Sequence, residues 1–196
     1  MELSRQWNVT GDRARRELVR NHIKNPVCVY WLVPAKPYSE LFREMICVLA
    51  EQFDAPRFEP HLTLLVAQED CQAARKILRQ VQGSLIRLKI SSVSASSKFT
   101  KTLFIRFKSS RALNRLVVDL THTTKRGAKA SRDPHLSLLY RKMPVAVKKE
   151  LACTMQLPFR EVLFDSIKAV RCASPTRNRA DLEAWRVMAT KFLTDR

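Results

Sequence analysis

Glycine is nearly missing from this chain, with 3 in 196 residues. Neither GxGxxG nor GxxxxGK followed by Ser or Thr is present, which excludes a glycine-rich loop cradling a di- or triphosphate. No apolar stretch approaches about 18 residues, so no transmembrane helix and no membrane partner is expected. The N-terminus has no apolar signal core, which disfavours classical secretion. The five cysteines, Cys28, Cys47, Cys71, Cys153 and Cys172, are odd in number and widely spaced, with no CxxC. They read as reduced, mostly buried thiols of a cytoplasmic protein. The four histidines include no H-x3-H pair, so neither a dedicated zinc site nor any cofactor is expected.

Acidic residues are the other shortage. Asp and Glu total 18 against 36 Lys and Arg, a net charge of +18. Such a field attracts polyanions and steers phosphorylated substrates, which makes RNA a candidate partner. The stretch Lys125-Arg126-Gly127-Ala128-Lys129-Ala130-Ser131-Arg132 has four basic residues and no acidic one. Residues 1–24 are also basic but carry Glu2, Asp12 and Glu17, which suits a transit peptide poorly. They read as an N-terminal extension, either an appended helix or an arm.

What the chain does contain is one hexapeptide pattern twice. Pro-His-Leu-Thr-Leu-Leu begins at Pro60 and Pro-His-Leu-Ser-Leu-Leu at Pro134, an offset of 74 residues. Each copy places a histidine two positions before a hydroxyl: His61 with Thr63, and His135 with Ser137. On a strand, period 2 sends both side chains to one face. Two such strands meeting would present two imidazoles and two hydroxyls, enough for acid–base chemistry on a phosphate ester. His122-Thr123-Thr124 fits the same short pattern, but it ends a helical stretch, where residues i and i+2 diverge.

The repeat extends beyond the motif. Apolar patterning predicts a strand over 27–33, a helix over 39–53 with Ser39 as N-cap, a motif strand over 58–67, a helix over 70–82 capped by Asp70 and stopped at Gly83, and a strand over 85–93. The same order follows at 103–107, 109–124, 134–140, 144–155 (with Pro144 at the first helical position) and 161–172. An eleventh element, over about 183–193, reads as a closing strand. The expectation is an α+β domain over 25–196, with one lobe about 27–95 and another about 100–173. Two antiparallel sheets flanked by helices would then meet about a pseudo-twofold axis, with both histidines in the central cleft.

On these residues the chain resembles the 2H phosphoesterase superfamily, and within it the cyclic phosphodiesterase branch. The features carrying the likeness are both motifs, the strand Val29-Tyr30-Trp31-Leu32-Val33-Pro34, the run Pro56-Arg57-Phe58-Glu59-Pro60-His61, the continuation Leu138-Leu139-Tyr140, and the Trp185 segment. The resemblance implies metal-independent hydrolysis of a ribose cyclic phosphate, such as ADP-ribose 1″,2″-cyclic phosphate or a nucleoside 2′,3′-cyclic phosphate. The substrate would be a small phosphorylated nucleotide and the protein a monomer. It implies His61 and His135 as the acid–base pair, Thr63 and Ser137 as phosphate-binding hydroxyls, and Tyr140 as a residue that helps hold phosphate or water. Tyr140 lies three residues after Ser137, so on an ideal strand it would face away. Trp31 is the residue chosen to stack on a base or ribose, with a core role as its alternative. Arg57 and the 125–132 patch read first as solvated loop residues, with contact to further phosphates as the alternative. In the expected order, His135 activates water and His61 protonates the leaving oxygen. The alternatives are an RNA end-processing phosphoesterase or 2′–5′ RNA ligase-like enzyme, and a non-catalytic RNA-binding module.

Overall fold

A computed structural model describes residues 26–68, 71–124 and 127–194. The basic extension 1–24, Asp70, Lys125 and Arg126 lie outside the described residues. The first half of the chain runs β1 (Pro26–Pro34), α1 (Tyr38–Gln52), β2 (Leu62–Ala67), α2 (Ala74–Gln80) and β3 (Ile86–Ala95). The second runs β4 (Leu103–Phe107), α3 (Arg111–Thr123), a short β5 (Lys129–Ala130), β6 (His135–Leu139), α4 (Val145–Thr154) and β7 (Glu161–Ala173). The chain ends with α5 (Arg179–Glu183) and β8 (Arg186–Phe192). The α+β architecture and antiparallel pairing follow the expectation.

The two sheets are wings of one hydrogen-bonded network. One wing is β5–β2–β1–β7–β8 and the other is β6–β4–β3. Each half of the sequence gives its last strand to the other half: β3 pairs with β4, and β7 pairs with β1. The wings therefore do not coincide with the spans 27–95 and 100–173. They join at two places, and both carry the sequence offset. Leu62 faces Leu136 between β2 and β6, and Leu88 faces Val162 between β3 and β7. Residues 74 apart that pair with each other must lie on the pseudo-twofold axis. The Arg87–Glu161 ion pair, 3.1 Å, spans the same axis.

Period 2 explains the layers. On β1, Cys28, Tyr30 and Leu32 enter the main core, while Val27, Val29, Trp31 and Val33 form a second apolar cluster with Val170 and Cys172 on the opposite face. Helices cover the main-core side. Helix α1 buries Phe42, Ile46 and Leu49, and α3 buries Leu113, Leu116 and Leu120, both at helical spacing. Helix α4 departs from this. Its buried residue is Lys148, whose Nζ donates to the Ser96 carbonyl at 3.0 Å. No helix among the described residues is long and apolar enough to cross a membrane.

Several boundaries differ from the sequence expectation, for local reasons. Helix α1 begins at Tyr38 with Pro37 before it, so Ser39 lies inside the helix and does not cap it. Residues Cys71–Ala73 form a 3-10 turn that shortens the helix expected over 70–82 to Ala74–Gln80. Pro144 precedes α4 in an extended conformation and is not its first residue. The closing strand begins only at Arg186, because Asn178 caps a short helix through Asp181 N–H at 2.9 Å. Ser110 caps α3 in the same way, accepting from Leu113 N–H at 3.2 Å. Replacing it with Ala is expected to lower stability by about 1 kcal/mol, measured by urea denaturation.

Candidate active site

The motif strands β2 and β6 meet at a single residue pair, Leu62–Leu136, so the histidines just before that pair flank the axis. Both line one cavity of about 900 Å³, together with Thr63, Ser137, Tyr140 and Trp31. All six candidate residues are thus brought to one place.

The histidines are anchored alike. His61 Nδ1 lies 2.6 Å from the Glu59 carbonyl and His135 Nδ1 lies 2.7 Å from the Asp133 carbonyl. A carbonyl only accepts, so Nδ1 carries the proton and Nε2 of the neutral ring is left as a base. Each residue supplying that carbonyl is itself held by cations. Glu59 pairs with Lys168, and Asp133 with Lys101 and, at 3.2 Å, with Arg106. Partial burial pushes the Asp133 carboxyl up, but Lys101 and Arg106 hold it below the ordinary carboxylate range. Lys168, Lys101, Glu59 and Asp133 were not singled out from the sequence. The signal was present as an acid-Pro-His tripeptide in both copies, Glu59-Pro60-His61 and Asp133-Pro134-His135.

The two half-sites differ in depth. His61 is 6 % exposed, whereas His135 is half-buried. Trp31 stacks on the His61 ring with centroids 3.8 Å apart and planes 14° from parallel, while Trp185 meets the same ring edge-on at 5.8 Å. At the other half-site, Phe104 meets His135 edge-on at 5.4 Å. Burial drives the His61 pKa down to about 4, against the Glu59 carbonyl, which favours the imidazolium. Burial also lowers His135, opposed by its bond to the Asp133 carbonyl.

The Trp31 indole is 3 % exposed, and one face is taken by His61. Its place in the structure is beneath the imidazole. Trp185, read from sequence only as part of a closing strand, lies between α5 and β8 and lines the cavity. Its ring meets those of Trp31, His61 and Tyr140 edge-on.

Tyr140 reaches the cavity because the strand is irregular. Ser137 pairs with Phe104 and Leu139 with Leu103, so Leu138 is an extra residue in the ladder. Such a bulge inverts the alternation of faces, which brings residue 140 to the side of residue 137. The first copy does the same: Thr63 pairs with Trp31 and Leu65 with Tyr30, leaving Leu64 as the extra residue and Val66 on the cavity. Tyr140 stacks on Phe58 at 3.9 Å, and burial pushes its phenol up, so it stays protonated as a donor. The hydroxyls also differ. Ser137 donates to the Thr100 carbonyl at 2.9 Å, while Thr63 has no hydrogen-bond partner among the described residues. From the basic patch, Lys129 and Arg132 line the cavity. Arg57 instead pairs with exposed Glu51.

No family model matches the chain. A curated relative, named cyclic phosphodiesterase, from Arabidopsis thaliana, is 24 % identical over 173 residues, covering 85 % of this chain and 95 % of its own length. Among solved structures, Escherichia coli LigT complexed with 3′-AMP superposes with a TM-score of 0.52 at 12 % identity, covering 88 % of this chain and 100 % of that one. A protein of Thermus thermophilus superposes with a TM-score of 0.55 at 15 % identity, covering 86 % and 98 %. The chain shares the fold of these solved structures. Within that fold, the two histidine motifs of this chain are the strands that meet on the pseudo-twofold axis. The candidate site is therefore symmetric in its backbone and asymmetric in its aromatic packing.

Proposed function

We propose that this protein is a metal-independent cyclic phosphodiesterase that opens a ribose cyclic phosphate to a phosphomonoester. The observation that carries the reading is the pair of Nδ1-anchored imidazoles facing one cavity across the Leu62–Leu136 axis. The name of the Arabidopsis relative supports the same reaction class. An opened cyclic diester needs one proton removed from water and one delivered to the ribose oxygen that leaves. Two imidazoles on opposite sides of phosphorus supply both transfers.

The difference in burial favours an order opposite to the one expected from sequence. His61, the more deeply buried ring, stays neutral and takes the water proton at Nε2 as the new P–O bond forms. His135 is less buried; burial, Lys101 and Arg106 lower its pKa, and the anionic phosphate arriving in the cavity opposes them and favours its protonated form. It gives its Nε2 proton to the leaving ribose oxygen as the ring P–O bond breaks. Thr63 and Tyr140 donate to the non-bridging oxygens, and Ser137 does so after leaving the Thr100 carbonyl.

The test supplies purified protein, in EDTA, with ADP-ribose 1″,2″-cyclic phosphate, a nucleoside 2′,3′-cyclic phosphate and an RNA ending in a cyclic phosphate. Phosphorus NMR follows the conversion of cyclic diester to monoester. Turnover of any of the three in EDTA is the expected result. Turnover only without EDTA would sink the metal-free mechanism, and no turnover of any would sink the reaction class. Lys98, Lys101, Lys129 and Arg132 on the cavity wall favour a polyanionic substrate as the second reading, that of an RNA end-processing enzyme. Exclusive turnover of the RNA would establish that reading.

A further inference from the structure

Behind Tyr140 lies a second hollow, of about 480 Å³, that none of the chemistry above uses. Tyr140 lines both this hollow and the catalytic cavity, so the two share a wall. The segment 98–101 divides them. Lys98, Thr100 and Lys101 line the catalytic side, while Phe99 lines the second hollow with its ring 6.0 Å from that of Tyr140.

The charges in the hollow are one-sided. Arg141, Lys142, Arg177 and Arg179 line it, with Asp54 as its lone carboxylate. Asp54 behaves as a bound anion would. Its two carboxylate oxygens accept separately, Oδ2 from Arg141 at 3.2 Å and Oδ1 from Arg179 at 3.0 Å. Its backbone carbonyl takes a further bond from Arg141 at 2.5 Å. The residue sits at φ 46°, in the left-handed region just past the end of α1, which turns it toward those guanidinium groups. Lys142 and Arg177 make no ion pair among the described residues.

We propose that this hollow is a second phosphate subsite, occupied by Asp54 in the unliganded protein. It would take a phosphate set back from a cyclic phosphate held between His61 and His135. This deepens the proposed function and rests on it. Arginine forks suit phosphate oxygens as well as carboxylate, so an arriving phosphate exchanges with Asp54 on the same donors. Phe99 offers a face for an unpaired base beside that phosphate. The shared chemistry is a second phosphate group, which either a polynucleotide chain or a pyrophosphate linkage would provide.

The experiment compares three substrates: uridine 2′,3′-cyclic phosphate, a pentauridylate ending in 2′,3′-cyclic phosphate, and ADP-ribose 1″,2″-cyclic phosphate. In the double variant Lys142→Glu/Arg177→Glu, KM for a substrate carrying the second phosphate is expected to rise about tenfold or more. The mononucleotide, which lacks that phosphate, keeps its kcat and KM. A rise confined to the pentauridylate assigns the subsite to a polynucleotide, and one confined to ADP-ribose cyclic phosphate assigns it to a pyrophosphate. Asp54→Asn works in the opposite direction: asparagine tolerates the same left-handed backbone, so the fold is kept while the competing charge is removed. Its KM for the longer substrate is expected to fall severalfold. Equal changes for all three substrates, or no change for any, would overturn the subsite. Should the wild-type protein turn over none of them, the proposed reaction fails on its own. Fluorescence anisotropy of a fluorescein-labelled pentauridylate with a 3′-phosphate, and calorimetry with ADP-ribose 1″,2″-cyclic phosphate, measured across the same variants, then still decide the subsite: weaker binding of either in the double variant sustains it, and unchanged binding of both removes it.

Discussion

His61→Ala and His135→Ala are each expected to lower kcat/KM on the cyclic substrate by about 10²–10⁴-fold, the usual contribution of one proton-transfer group. An aryl phosphodiester separates their roles, because p-nitrophenolate leaves without needing a proton. On that substrate His135→Ala should recover most of the lost rate and His61→Ala should not. Rescue of His61→Ala instead would restore the order expected from sequence. The pH dependence follows from the same assignment. His61 remains a base down to about pH 4 in the free protein, and His135 loses its proton below the ordinary histidine value. The kcat/KM profile should therefore be a bell lying on the acid side of neutrality. A bell centred well above pH 7 would contradict the burial argument.

Acid is expected to weaken the fold through His61. Its pKa is about 6.5 in the unfolded chain and about 4 in the folded one, so between those values the unfolded state binds the extra proton. Stability from this group is fully present above about pH 6.5 and is lost as pH falls toward 4. A depression of this size corresponds to about 3 kcal/mol, a large part of a typical net stability. His135 is shifted in the same direction and adds to the loss. Urea denaturation from pH 7 to pH 4 checks this. His61→Gln, which cannot take the proton, should flatten the curve relative to wild type. Parallel curves would show that His61 is not held neutral by burial.

Much of the site was legible because its signal is local and repeated. The offset between Pro60 and Pro134 predicted which strands correspond, and the residue pairs on the axis, Leu62–Leu136 and Leu88–Val162, carry that same offset. The helical faces of α1 and α3 followed from spacing alone. Less was legible where a non-local partner sets the geometry. Strict alternation would have turned Tyr140 away, but the extra residue Leu138 is defined only by what β4 places opposite it. Trp31 was read as a platform for substrate, yet its place under His61 depends on β1 lying beside β2. Glu59 and Asp133 gain their place in the site only through Lys168 of β7 and Lys101 just before β4, both far away in the chain.

By itself, the sequence determined that two equivalent half-sites exist and which histidine and hydroxyl each contributes, because residue identity and period 2 are properties of a single strand. Only the tertiary structure decided that the half-sites are unequal. A pKa depends on how much water and charge surround a group, and those neighbours come from elsewhere in the chain. Trp31 and Trp185 against His61, but Phe104 beside His135, turn a repeated motif into two different imidazoles.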